Sequence, residues 1–302
     1  MLTNQLFDGA SAKAAIEEAL RADLSKASID DLKRVLAPAI EGRLVTVPVL
    51  NAGTPLYRAR VIGKPTHIRD VSYPPASLTP LGRVNREGAP VLYCSSAREG
   101  ALFEVRPRSG ETVVVVKWTT TEPMVVHQVG YSTNALNQLK SGRTPESWAV
   151  FAEEPGGAAH AEITDFLATT FVRVIERDES AEFYKLSAAI AEMLFAQDMF
   201  HGLLYPTVAL SANSDNLAVK PSFADQHLSF VEAEFLQIQK VSDHAFEVLP
   251  LDLAQSLDTD GSIAWRGRPK QLVIPPFGTL VLTAENGRWV ARDVNGQIVE
   301  PE

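Results

Sequence analysis

Apolar residues recur every three to four positions over residues 10–22 and again over 29–40, the spacing of two amphipathic helices. Ser28 stands before "IDDLKRVL" as N-cap of the second. The period then shortens. "RLVTVPVL" (43–50) and "LYRAR" (56–60) alternate as strands around the turn "NAGTP". Residues 61–90, rich in Pro and Gly, predict a long ordered loop, and loops of that length are often functional. "VLYCS" (91–95) reads as a short strand, and Ser96 with Glu99 fits a capping box opening the next helix. "TVVVVKW" and "MVVHQV" predict strands, and 158–175 and 181–198 predict helices. "GLLYP" reads as a buried strand and "FVEAEFLQIQK" as a half-exposed one. "TLVLTAENGRWVARD" predicts a hairpin turning at Asn286-Gly287. No repeat and no regular βαβ rhythm is visible, which favours an α+β fold over a doubly wound sheet.

The chain has 302 residues, 45% of them hydrophobic, enough to bury a sizeable core in one large domain or two smaller ones. Its start lacks the basic and apolar runs of a leader, and no stretch approaches the ~20 apolar residues of a membrane span. The one cysteine, Cys94, cannot form an internal disulfide, so a reducing cytoplasm is expected. A net charge of −9 argues against broad nucleic-acid binding. The charge is uneven, however. Pro55–Gly110 holds eight arginines and one lysine against one aspartate and three glutamates, a net +5. Either this is an arginine-rich surface, or a cleft there focuses its field on a small anion.

Several familiar chemistries are missing. The sequence has no G-x-G-x-x-G after a strand, no P-loop, no G-x-S-x-G elbow and no H-E-x-x-H. His160-Ala-Glu162 resembles half of a zinc-deaminase motif, which a single cysteine cannot complete. No metal is expected.

One glutamate is out of place. With Ala101 set at zero and about 100° per residue, Val105 lies near 40° and Glu104 near −60°, beside the stripe that should pack inward. A partly buried carboxylate without partners is costly. Glu104 therefore has either an i,i+4 ion pair with Arg108 or a task. Tyr93 precedes the same helix, Arg58 and Arg60 alternate along "LYRAR", and Arg83 follows Gly82 in the loop, with Asn85 and Gly88 beyond it. Guanidinium groups grip phosphate oxygens, an aromatic ring stacks on a base, and a carboxylate stabilises an oxocarbenium-like centre. Taken singly, each has a plainer reading. Arg58 suits an edge salt bridge, Tyr93 a core position, and Ser187, beside Phe183, Leu186, Ile190 and Met193, a bond back to its own helix.

"LYRAR", "GRVNREGAPVLYCS", Glu104, "YKLSAAIAEML" and "GLLYPTVALSANSDNLAV" together resemble the RES domain family, most strongly over residues 55–240. The resemblance implies a mixed, twisted and split β-sheet core flanked by helices, like that of ADP-ribosyltransferase toxins. It divides the chain into an N-terminal helical extension (1–50) and an α+β domain (51–302) with a β-rich tail. It further implies a toxin of a toxin–antitoxin pair that cleaves NAD⁺ at the nicotinamide–ribose bond by hydrolysis or phosphorolysis. NAD⁺ is then a substrate, and no cofactor is expected. Catalytic roles fall on Glu104, Arg58 and Ser187. Tyr93, Arg83, Arg60 and Thr207 fall on the substrate-binding side, Thr207 standing where many relatives carry the serine of "YPS". Some family toxins have a second tyrosine after the arginine, where this chain has Ala59. NAD⁺, an antitoxin and a second copy of the chain are the partners expected, with no nucleic acid and no membrane. An ADP-ribosyltransferase acting on a macromolecule and a non-catalytic nucleotide-binding module stay open as alternatives. The N-terminal and C-terminal extensions are left to cover the cleft, form a dimer or replace the antitoxin.

Overall fold

The computed structural model describes the chain apart from residues 1–6, 44, 46, 149–156, 176–180, 243–244, 268–270, 275–279, 286–287, 293–294 and 299–302. The fold is α+β. Ten strands form one mixed sheet, and seven α-helices lie among the described residues. In chain order the strands are β1 (Val49–Leu50), β2 (Pro55–Val61), β3 (Leu92–Ser95), β4 (Thr112–Thr120), β5 (Met124–Gln128), β6 (Gly202–Pro206), β7 (Asp215–Val219), β8 (Leu228–Val241), β9 (Phe246–Leu257) and β10 (Ile263–Trp265). Their order across the sheet is β1-β5-β6-β7-β3-β2-β4-β8-β9-β10, and only β5 and β6 run parallel. A separate three-stranded sheet holds β11 (Gln271–Ile274), β12 (Leu280–Glu285) and β13 (Arg288–Arg292). β12 and β13 make the expected hairpin, whose turn lies outside the described residues.

The large sheet is split. β2 pairs with β4 at seven positions, yet with β3 only at Tyr57↔Ser95. Beyond that bridge the two halves part, and the helices divide between them. α1 (Gly9–Arg21), α2 (Ile29–Ile40), α5 (Gly157–Phe171) and α6 (Tyr184–Phe195) cover the β6/β7 half, around Leu36, Phe171, Ile190, Leu203 and Ala218. α3 (Arg98–Val105) covers the β2/β4/β8 half, with Ala101 and Leu102 on Ala59, Val113, Val115 and Leu236. The opposite face buries Leu56, Leu92, Val114, Val116 and Leu217, with α4 (Thr133–Gln138) and α7 (Pro221–His227) over it. β4 is buried on both faces, as its β-branched run requires. No helix among the described residues is long and apolar enough to cross a membrane.

Ser28 caps α2 in a capping box with Asp31. The box expected at Ser96 does not form. α3 begins at Arg98 after Ala97 without a side-chain cap, because the Ser96 hydroxyl binds Ser214 Oγ at 3.2 Å and accepts from the Asp215 amide. Of "RLVTVPVL" only Val49–Leu50 is strand, with Leu44 and Thr46 outside the described residues. The long loop contains two short 3₁₀ turns, Ile68–Asp70 and Ala76–Leu78. Strand β7 and helices α4 and α7 lay within segments that had no assigned element.

Candidate active site

A cleft of about 830 Å³ opens where the sheet splits. β2, β3, the 79–85 loop, α3 and β6/β7 all contribute to its lining.

Past the Tyr57↔Ser95 bridge, the Tyr93 carbonyl has no ladder partner on β2. Arg58 fills the gap. Its Nη1 donates to Tyr93 O at 2.9 Å, while Nε is buried without a partner. Burial lowers its pKa to about 10. Among the described residues no carboxylate pairs with it, which rules out the edge-salt-bridge reading. Arg60 Nη1 likewise donates to a carbonyl, Asp70 O at 2.5 Å. Arg83 donates to Phe171 O at the end of α5 and to Arg173 O at 3.1 Å, with its guanidinium 5.5 Å from the Tyr184 ring centroid. Three of the four arginines lining the cleft, Arg58, Arg60 and Arg83, thus bind only neutral carbonyl oxygens among the described residues. Three other cations of the segment behave differently: Lys64 pairs with Asp252, Arg86 with Asp30 and Glu192, and Arg98 with Glu234. Part of the surplus charge of residues 55–110 therefore lines the cleft.

Glu104 faces these cations from α3. That helix lies close on β3 because Gly100 has no side chain; a Cβ there would stand 2.2 Å from Ser95 Oγ. The Arg98–Glu234 pair at 2.6 Å fixes α3 to β8. Arg106, left-handed at φ 44°, ends the helix one residue after Val105. Arg108 therefore lies beyond the helix, and no ion pair joins it to Glu104 among the described residues. Nor is Glu104 buried: it is exposed on the cleft wall. Its Oε1 accepts from Thr207 Oγ1 at 2.5 Å and from Asn216 Nδ2 at 2.7 Å, while Oε2 takes no bond from the described residues. Two neutral donors fix one oxygen and leave the other open.

Tyr93 has two jobs. Its ring lines the cleft, and its hydroxyl donates to Asn85 Oδ1 at 2.7 Å and accepts from Val84 N at 3.1 Å. Burial pushes the phenol up, so it stays protonated. The loop closes tightly on it, since a Cβ at Gly82 would stand 2.8 Å from both Tyr93 Oη and Asn85 Oδ1. Cys94 also lines the cleft, but burial raises its thiol to about 12, which removes thiolate chemistry at neutral pH.

The structure does not bring Ser187 into the cleft. It is 3% exposed inside α6, and its hydroxyl returns to Tyr184 O at 3.1 Å, the usual habit of a mid-helix serine. The hydroxyl on Glu104 is that of Thr207, fully buried just after β6. Asn216 and Tyr205 also line the cleft; both lie within "GLLYPTVALSANSDNLAV", yet neither has a site role in the sequence reading. Register could have found Asn216, since β7 places it opposite Ser95, two residues from Tyr93.

The family model of the RES domain matches residues 55–239, more than half of the chain. The chain belongs to the RES domain family. The match begins at β2 and ends within β8, so every strand and helix contributing to the cleft lies inside the RES domain, while α1 and α2 lie outside it. No curated protein and no solved structure matches the chain.

Proposed function

We propose that the chain consumes NAD⁺, breaking the bond between nicotinamide and ribose. What carries this reading is the pairing of three arginines that have no carboxylate partner among the described residues with one glutamate whose second oxygen takes no bond from them. A ligand suited to both has a diphosphate for the guanidinium groups and a centre that turns cationic for the carboxylate. Four of the six tyrosines, Tyr57, Tyr93, Tyr184 and Tyr205, line the same cleft and suit the rings of a dinucleotide. The bonding pair of the C–N bond leaves with nicotinamide, which departs neutral. Glu104 Oε2 stabilises the positive charge on the ribosyl carbon, and water or phosphate adds to it. With water the products are ADP-ribose, nicotinamide and one proton. Arg58 and Arg60 hold the diphosphate. Arg83, committed to two carbonyls, adds field and fixes the loop. The split sheet agrees with an ADP-ribosyltransferase-like arrangement, and RES membership supports a toxin acting on the NAD⁺ pool, with an antitoxin as partner.

A time course of NAD⁺ with purified protein, with and without inorganic phosphate, tests the reading. Free ADP-ribose, or its 1-phosphate when phosphate is present, is the expected product. Labelled protein in place of a free product makes the chain a transferase, and unchanged NAD⁺ refutes the proposal.

A further inference from the structure

One hydroxyl in the cleft has no role in the account above. Tyr205 of β6 pairs in register with Asn216 of β7, Asn216 with Ser95 of β3, and Ser95 with Tyr57 of β2. Directly opposed residues share a face, with Cβ atoms ~4.5–5.5 Å apart. The four side chains therefore form a row across the split, and all four line the cleft. Within this row Asn216 holds Glu104. Tyr205 is only 4% exposed, and its ring packs edge-on against Phe171 with centroids 5.2 Å apart. Buried tyrosines normally give their hydroxyl a partner, as Tyr93 does with Asn85 and Tyr131 with Asp215. Among the described residues the Tyr205 hydroxyl has none, and it opens to the cleft rather than being sealed in the core.

We infer that Tyr205 is a substrate-binding residue whose hydroxyl donates to an oxygen of the ligand close to the bond that breaks. The inference rests on the NAD⁺-cleaving reading and extends it. Position follows from the row, because the neighbour of Tyr205 in it is the residue that fixes Glu104. Burial, with Tyr93 and Glu104 nearby, pushes the phenol well above its ordinary range. Tyr205 is therefore a donor at every physiological pH, and the acceptor is an uncharged or anionic oxygen. The ligand class is an oxygen-rich ribosyl group, which an aromatic cleft alone would not select.

The test is Tyr205→Phe, which keeps the ring on Phe171 and removes one oxygen. For NAD⁺ cleavage, kcat/KM is expected to fall roughly 10- to 100-fold. The Tm is expected to stay within about 1 °C, because no protein partner is lost. Calorimetric titration of NAD⁺ into Glu104→Gln, with and without Tyr205→Phe, should show weaker binding in the double variant. Wild-type cleavage with Tyr205→Phe within about twofold overturns this inference alone, since a lost bond to substrate costs more than that. A drop in Tm of several degrees alongside lost activity overturns it too, making the hydroxyl structural. A wild type that neither binds nor cleaves NAD⁺ overturns the parent reading, and this one with it.

Discussion

Arg58 is a cation folded into a cleft with no carboxylate bonded to it among the described residues, a burden on the fold unless a ligand supplies the charge. Arg58→Lys keeps the charge but loses the planar fork, so NAD⁺ turnover should fall severely. Stability should change by no more than about 1 kcal/mol, the worth of the bond to Tyr93 O, as thermal unfolding will show. With its pKa lowered to about 10, Arg58 is charged at neutral pH and loses its proton as pH rises through that value. NAD⁺ binding should weaken there. The linked stability term moves the other way: the unfolded arginine is still protonated, so the folded state gains as pH rises above about 10. A titration of NAD⁺ affinity against pH checks the first trend and denaturant unfolding the second. Thr207→Val removes the hydroxyl on Glu104 Oε1 at nearly constant volume. It should lower kcat about tenfold through a looser carboxylate, with little change in KM, while Ser187→Ala should leave both constants alone. Motif order brought Arg58, Tyr93 and Glu104 into view. The choice between Ser187 and Thr207 was not legible, because both sit in mostly apolar runs where neither period says which hydroxyl faces the cleft.

At the level of elements, the split between β2 and β3 makes the site, and α3 aims into it. Gly100 sets the depth of that helix. Gly100→Ala drives a methyl into Ser95 Oγ and should cost about 1–3 kcal/mol in thermal unfolding, with activity lost as Glu104 shifts. Adding Ser95→Ala removes the nearest atom and should recover part of both. Strands such as β2 and β4 were readable because alternation or β-branched runs mark them. β7 was not, since "DNLAV" is almost entirely buried and buried strands lose their alternation. That loss hid Asn216. The Ser96 cap failed for a tertiary reason, as its hydroxyl was taken by the turn before β7.

Over the whole molecule, the N-terminal helices lie outside the matched family region yet share its core. Ile16, Leu32 and Leu36 pack with Leu186 and Ile190, and Arg86 binds both Asp30 of α2 and Glu192 of α6. Deleting residues 1–42 uncovers three large aliphatic side chains' worth of packing, about 5–9 kcal/mol. The truncated chain should be insoluble or change its oligomeric state, which size-exclusion chromatography detects. Charge is organised on the same scale: a chain of net −9 keeps guanidinium groups in one cleft with no carboxylate partner among the described residues. That arrangement suits the proposed anionic substrate, and Glu104 is the group that would act on it. The most direct measurement is NAD⁺ cleavage by Glu104→Gln beside its thermal unfolding. The amide oxygen still accepts from Thr207 and Asn216, so only the charge at Oε2 is lost. Cleavage should fall about 10²–10³-fold with Tm unchanged. A Glu104→Gln protein that cleaves NAD⁺ at the wild-type rate would contradict the account.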